Sequence, residues 1–316
     1  MNKLIVFFLF FSGAVSVFAE DKPASTTSST ADTGNSLTFI PSIAFLEKEL
    51  HFEQQQSGNF IGDGEFTSRL PMVDVSLTTV FKRVFFTLKY NLSVTEVSTA
   101  TNESGFNTGS SNRYFWQPPG TEMTVEREDE SATLGVNVVA GLNMFVGFMD
   151  GKTTMNIPPT CKDPSVYTPP PPVTQVYCPT YNFAWYRLRT FNTTNPGQPL
   201  SDYKQVYEEK GPYIGLSYAW SLFDTGVFSM SAAYAEMDGT FKDNLTIGSF
   251  GGFNTKGDVS GTSLGLTWTA ALTDTSSYFI DLRRQAYSMK AEGSGGEKFK
   301  TDETMTGLTT GMQFYF

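Results

Sequence analysis

The sequence predicts an all-β protein, a transmembrane antiparallel up-and-down β-barrel of about ten strands. Three observations carry that expectation. Apolar and polar residues alternate with period two from about residue 37 to the last residue, the spacing of a strand with one greasy and one wet face. The connections between alternating runs are very short and much longer in turn. Beyond the N-terminal segment, no window holds the roughly 18 consecutive apolar residues that a spanning helix needs.

In chain order, residues 1–19 come first. They carry one positive charge, Lys3, an apolar run from Leu4 to Phe11, and Val17-Phe18-Ala19 before the expected cut, which is the build of a secretory signal peptide. No cysteine stands at that point, so lipoprotein processing is excluded, and loss of Lys3 takes the net charge from −10 to −11. Residues 20–36 are rich in Ser, Thr, Asp and Pro and lack an apolar repeat, as expected of a disordered tether.

Residues 37–316 then divide into spans at 37–50, 64–81, 83–98, 123–140, 142–157, 205–222, 226–241, 259–272, 277–291 and 302–316. In the third span Val84, Phe86, Leu88, Tyr90, Leu92 and Val94 share one face, with Thr87, Lys89, Asn91 and Ser93 on the other. The same split recurs in 213–222 and 263–272, where the polar face is small, full of Gly, Ser, Ala and Thr, and suits a crowded lumen. Tight connections fall near 81–84, 140–142, 222–226 and 272–277. Ten spans put both termini on the side of those tight turns, the periplasmic side. Residues 181–192 also alternate, but an eleventh span would break this parity, so they are assigned to a hairpin within the outer loop 158–204.

The chain ends Thr309-Thr310-Gly311-Met312-Gln313-Phe314-Tyr315-Phe316. Thr309, Gly311, Phe314 and Phe316 match a pattern of a polar residue, Gly two on, and apolar residues at the third-last and last positions. In this the chain resembles Gram-negative outer-membrane β-barrel proteins of the porin-like class, whose C-terminus is the signal read by the barrel-assembly machinery. The resemblance implies the bacterial outer membrane as location, with outer-membrane lipid and lipopolysaccharide around the barrel and the assembly machinery as a partner in biogenesis. Leu308, Met312, Phe314 and Phe316 share one parity and form an expected lipid-facing row.

Charge inside the hydrocarbon zone belongs in the lumen, because on the lipid face it costs roughly 2–4 kcal/mol at mid-depth. If Lys82-Arg83 is a two-residue turn, Asp74 stands opposite Asn91 and diagonal to Lys89, an expected lumen pair. Asp281 and Arg283 share the inward parity, as do Arg127 and Asp129 nearer the rim. Arg284 takes the lipid parity unless a bulge there resets the phase, which would turn Tyr287 and Met289 outward. Glu126, Glu128 and Glu130 are expected to face out, either at headgroup level, where divalent cations bridge acidic groups, or on a solvated extension of the strand.

Outer loop 158–204 holds Cys161 and Cys178, the tetraproline 169–172, and the cluster Trp185, Tyr186, Arg187 and Arg189. In an oxidising envelope the two cysteines are expected to form a disulfide, closing an 18-residue loop for roughly 3 kcal/mol. The aromatic and basic cluster is a candidate for stacking on sugars or contacting lipopolysaccharide, with packing inside the loop as the alternative.

Composition removes several functions. Lys+Arg 22 against Asp+Glu 32 speaks against nucleic acid and polyphosphate ligands. One histidine, His51, with two cysteines builds no ordinary zinc site, and no cofactor is expected. Barrel hydrolases pair Asp with His or Ser with His. His51 takes the lipid-facing parity and sits in no such motif, so the expectation is no enzyme and no catalytic residues. The leading expectation is a narrow porin-like channel for small solutes, to which the small lumen residues Gly215, Gly265, Gly307, Gly311, Ser229 and Ser231 point; the alternative is a closed barrel displaying outer loops for binding or adhesion.

Overall fold

In the computed structural model of the protein the described residues are 37–57, 61–100, 104–107, 113–117, 122–157, 175–176, 203–221, 226–243, 254–292 and 298–316. They form strands β1 (Leu37–Ser57), β2 (Ile61–Phe81), β3 (Val84–Ser93), β4 (Val97–Ala100), β5 (Ser104–Asn107), β6 (Arg113–Gln117), β7 (Glu122–Val139), β8 (Leu142–Ile157), β9 (Gln175–Val176), β10 (Tyr203–Ser221), β11 (Val227–Asp243), β12 (Asn254–Thr273), β13 (Ser276–Glu292) and β14 (Lys298–Phe314). Antiparallel pairing runs β1-β2-β3-β7-β8-β10-β11-β12-β13-β14, and β14 pairs back with β1. The result is a closed ten-strand antiparallel barrel, with β4 continuing the third wall segment against β7. Closure leaves no open sheet edge among these walls, the condition for a β-structure in lipid. Short β5, β6 and β9 extend the rim beside β2.

The β2–β3, β7–β8, β10–β11 and β12–β13 connections and both described chain ends, Leu37 and Phe316, lie at one end of the barrel, the turn end. There Phe39 and Phe316 exchange two backbone hydrogen bonds of 3.0 Å, extending the closing ladder past the end of β14. Positive φ occurs in three of these turns, at Lys82, Gly141 and Gly226. Gly141 has φ 78°, and a Cβ there would run into the Ala219 carbonyl oxygen. Lys82 has φ 56°, a conformation disfavoured for a side-chain-bearing residue.

The barrel has two halves of opposite polarity. In the turn-end half the outward parity is apolar: Phe39, Ile43 and Phe45 on β1, Leu134 and Val136 on β7, Ile214 and Leu216 on β10, Leu264 and Leu266 on β12 are all exposed. Nine residues from Leu37 to Phe45 carry this face on β1, matching the ~9–11 that a tilted strand needs to cross hydrocarbon. Near the turn end Tyr218, Trp220, Phe228, Trp268 and Tyr278 form a continuous ring ladder across β10–β13, with successive centroids 6.1–6.5 Å apart. Such a girdle marks a membrane–water interface.

In the loop-end half the alternation keeps its phase and swaps its chemistry. On β1 the outward positions become Glu47, Glu49, His51 and Glu53, while Leu46, Leu50 and Phe52 turn inward and are buried. The interior is a hydrophobic core including Phe66, Leu70, Met72, Met123, Val125, Met155, Phe241, Val259, Met289 and Phe299. Phe52 packs on Phe66, Tyr207 and Phe241 at centroid distances of 5.4, 5.6 and 6.4 Å. The exterior carries cross-strand ion pairs: Lys210 with Asp150, Lys242 with Glu208 and Arg69 with Glu49.

This inversion explains how the walls differ from the expected spans. The first span continues from 50 to Ser57, and the eighth and tenth begin at Asn254 and Lys298, earlier than the expected 259 and 302. A pattern whose apolar face changes sides looks like a strand end, although the backbone runs on. The third span is broken, since β3 stops at Ser93 and pairing resumes at Val97. At the break the Ser93 hydroxyl donates to the Arg127 carbonyl at 3.1 Å and accepts the Arg127 N–H at 2.9 Å, replacing the missing ladder bonds. Register through Arg283 and Arg284 is continuous on both sides of β13. Hence no bulge resets the phase: Arg284 faces out and Tyr287 and Met289 face in.

Candidate functional site

Where the two halves meet, five charged side chains from four strands converge inside the barrel. Arg127 on β7 is fully buried (0 % exposed) and reaches three carboxylates. Its Nε donates to Asp129 Oδ1 at 2.7 Å, Nη2 to Glu209 Oε1 of β10 at 2.7 Å, and Nη1 to Glu303 of β14 and to Thr153 Oγ1 at 2.7 Å. Lys48 of β1 closes the cluster on Asp129 Oδ2 at 2.5 Å. Glu209 and Glu303 are also 0 % exposed. Each keeps its Oε2 buried without a hydrogen-bond partner among the described residues.

Local sequence positions this cluster. Arg127 and Asp129 are two apart and therefore point to the same side. Ser93 anchors the Arg127 backbone, and Gly151 leaves room on the neighbouring strand: a Cβ there would lie 2.8 Å from Arg127 Nη2 and 2.9 Å from Glu209 Oε1. Roofed by the Met and Phe core, Arg127, Glu209 and Glu303 form a fully buried layer across the lumen. Taking one partner away would leave buried charge uncompensated, at about 3–5 kcal/mol.

Beneath the layer lies a lumen cavity of about 220 Å³, with Lys48, Asp129 and Met149 above and Phe85, Phe279 and Thr267 below. Two ion pairs face it. Lys89 Nζ is 2.5 Å from Asp74 Oδ2, and Asp74 stands opposite Asn91 in the β2–β3 register. On β13, Asp281 accepts the Thr267 hydroxyl at 2.6 Å and the Arg283 Nε at 3.4 Å. The glycines beside the cavity do not all open it. Rings of Phe85, Tyr213 and Phe145 occupy the space that a Cβ would take at Gly135, Gly147 and Gly215, and Ala44 fills that at Gly311. Ser229, Ser231 and Gly307 do line the cavity.

Of the residues singled out from sequence, Lys89, Asp281 and Arg283 line this cavity, Asp74 is the ion-pair partner of Lys89, and Arg127 and Asp129 stand in the layer above it. Glu126, Glu128 and Glu130 take the opposite parity to Arg127 on β7 and face away from the lumen. Among the described residues no group of three or more His, Cys, Asp or Glu is placed to hold a metal ion. His51 lies on the barrel exterior, its Nδ1 3.0 Å from Thr67 Oγ1 and its Nε2 3.8 Å from Glu65. Thr309 and Gly311 occupy inward positions, while Phe314 and Phe316 take the outward parity. The signal segment, the tether, Cys161, Cys178, Trp185, Tyr186, Arg187, Arg189 and the 181–192 segment lie outside the described residues.

Lys48, Glu209 and Glu303 were not among the expected site residues. Their signal is a charged residue at the inward parity of an otherwise apolar run: Lys48 between Leu46 and Leu50, Glu209 two residues after Tyr207, Glu303 two before Met305.

No family model matches the chain, and no curated protein matches it in sequence. Among solved structures it is similar to the outer membrane protease OmpT of Escherichia coli, with a TM-score of 0.58 at 10% identity over 92% of this chain and 99% of that one. Outer membrane protein OprG of Pseudomonas aeruginosa aligns with a TM-score of 0.35 at 8% identity, over 89% of this chain and 97% of that one. The toluene transporter TodX of P. putida aligns with a TM-score of 0.33 at 8% identity, over 88% and 90%. At these identities the likeness to OmpT carries the fold alone, and the other two add no argument. The fold, a closed antiparallel β-barrel, is similar to that of the outer-membrane protein OmpT.

Proposed function

We propose that the protein is an integral outer-membrane barrel whose lumen is closed to solute flow and whose work is done at the outer surface, by the protruding half and its loops. The observation that carries this reading is the fully buried Arg127–Glu209–Glu303 layer beneath a packed apolar core. A conducting pore needs a continuous wet path, and here the wall-to-wall charges are dehydrated. The loop-end half supports the same reading from outside. Its exterior of paired charges suits water or headgroups, so on β1 the barrel rises from Glu47 to Ser57 beyond the apolar belt and holds its connections away from the bilayer. The turn end, with Leu37 and Phe316, then lies in the periplasm. The Trp185, Tyr186, Arg187 and Arg189 cluster and a Cys161–Cys178 disulfide are the proposed contact elements of the outer loop.

A small-solute channel is the second reading, and the 220 Å³ cavity at belt depth favours it. Planar-bilayer recording on reconstituted full-length protein separates the two. Silence from both the intact protein and a form lacking residues 160–200, together with binding of lipopolysaccharide or host glycans by the intact form only, supports the surface reading. Stepwise conductance from the intact protein overturns it in favour of the channel.

A further inference from the structure

The lumen cavity offers one strong hydrogen-bonding group that the fold leaves unused. Arg283 points inward, and Asp281 holds it through Nε alone, at 3.4 Å. Asp281 is itself only 6 % exposed and fixed by Thr267, so the guanidinium is anchored from its stem side. The terminal nitrogens Nη1 and Nη2 have no hydrogen-bond or ion-pair partner among the described residues. Gly265 gives them space, since a Cβ there would come within 3.4 Å of Nη2. Lys89 lies across the lumen, within electrostatic range of Asp281. The rings of Phe145 and Phe279 line the same cavity as these two cations.

We propose that this cavity binds a small organic carboxylate with an aromatic or short apolar body, the carboxylate lying in the fork of Arg283 and the body against the Phe145 and Phe279 rings. A planar guanidinium with two free terminal nitrogens matches a carboxylate bidentately, which an ammonium cannot do. Burial of the body displaces water from aromatic surface, and a cavity of about 150 Å³ already accommodates benzene, so 220 Å³ holds a benzoate-sized molecule. The proposal is independent of the surface-binding reading, because a ligand in the lumen needs no path through the loop end.

Isothermal titration of the full-length protein in detergent micelles with benzoate, and with benzyl alcohol as the uncharged analogue, tests it. The expected result is benzoate binding at least tenfold tighter than benzyl alcohol, and at least a tenfold loss in Arg283→Gln. Ser231→Leu, which places a larger side chain into the cavity and keeps the Arg283 guanidinium, should weaken binding of both and provides the test should Arg283→Gln not fold. Equal affinity for the two probes, no binding of benzoate, or full affinity in Ser231→Leu would each overturn the proposal.

Discussion

In the turn-end half Leu264 is 60 % exposed and Asp281 6 %, whereas in the loop-end half Met289 is 0 % exposed and Lys290, next to it, faces out. One strand, β13, carries both rules without losing register. The solvent makes the difference. Where hydrocarbon surrounds the wall, apolar side chains gain nothing by turning inward and polar ones cost several kcal/mol by turning outward. Where water surrounds it, the hydrophobic effect drives the large residues inside. The barrel is thus patterned like a membrane barrel below its charged layer and like a small soluble β-barrel above it. The five charges of Lys48, Arg127, Asp129, Glu209 and Glu303 sit where neither rule dominates.

The comparison breaks first at that layer. Arg127→Met should lower stability by about 3–5 kcal/mol, since three carboxylates would lose their common partner. The fall in the temperature of the heat-induced gel shift measures it. Adding Glu209→Gln and Glu303→Gln should recover part of the loss, and no recovery would mean that shape rather than charge is what Arg127 supplies.

Core truncation tests the upper rule directly. Phe241→Ala leaves a cavity among Phe52, Phe299 and their neighbours and should cost about 3–5 kcal/mol by urea unfolding from micelles. Leu264→Ala, on the apolar belt, should cost under about 1 kcal/mol, because that side chain is exposed rather than packed. Equal losses would show that the halves do not differ in where their packing lies.

Introducing the same charge on the two exteriors probes the lower rule. Leu266→Lys in the belt should destabilise the barrel by roughly 2–4 kcal/mol in bilayers. Thr240→Lys, on the water-facing exterior of β11, should stay within about 0.5 kcal/mol. Folding yields into lipid vesicles report both, and a Thr240→Lys loss as large as that of Leu266→Lys would place the membrane boundary higher than Glu47.

A finer test concerns the room left for the layer. Gly151→Ala should cost about 1–3 kcal/mol, because the new Cβ forces Arg127 and Glu209 apart. An unchanged unfolding midpoint would mean that the cluster shifts without penalty.

The closed antiparallel barrel, the turn end and the opposition of Asp74 to Asn91 follow from local pattern. Period-two alternation fixes which residues share a face, and the two-residue turn at Lys82-Arg83 sets the rung on which each residue of β2 meets β3. Arg127 and Asp129 were legible as inward residues for the same reason. Their partners were not. Lys48, Glu209 and Glu303 come from β1, β10 and β14, and no spacing within one strand tells which residues face each other across the lumen. The loop-end extensions were hidden as well, because an apolar face that changes sides resembles the end of a strand.

By itself, then, the chain determined the strands, their order and the two sides of each wall, because side-chain direction in a strand depends only on residue parity. Which side is wet, where the polarity crosses over, and which charges meet inside depend on how far the walls close and stagger. These are properties of ten strands together. Met289 and Leu264 are both apolar residues on regular strands; the position of each along the barrel axis decides that one is buried in a core and the other is left to lipid.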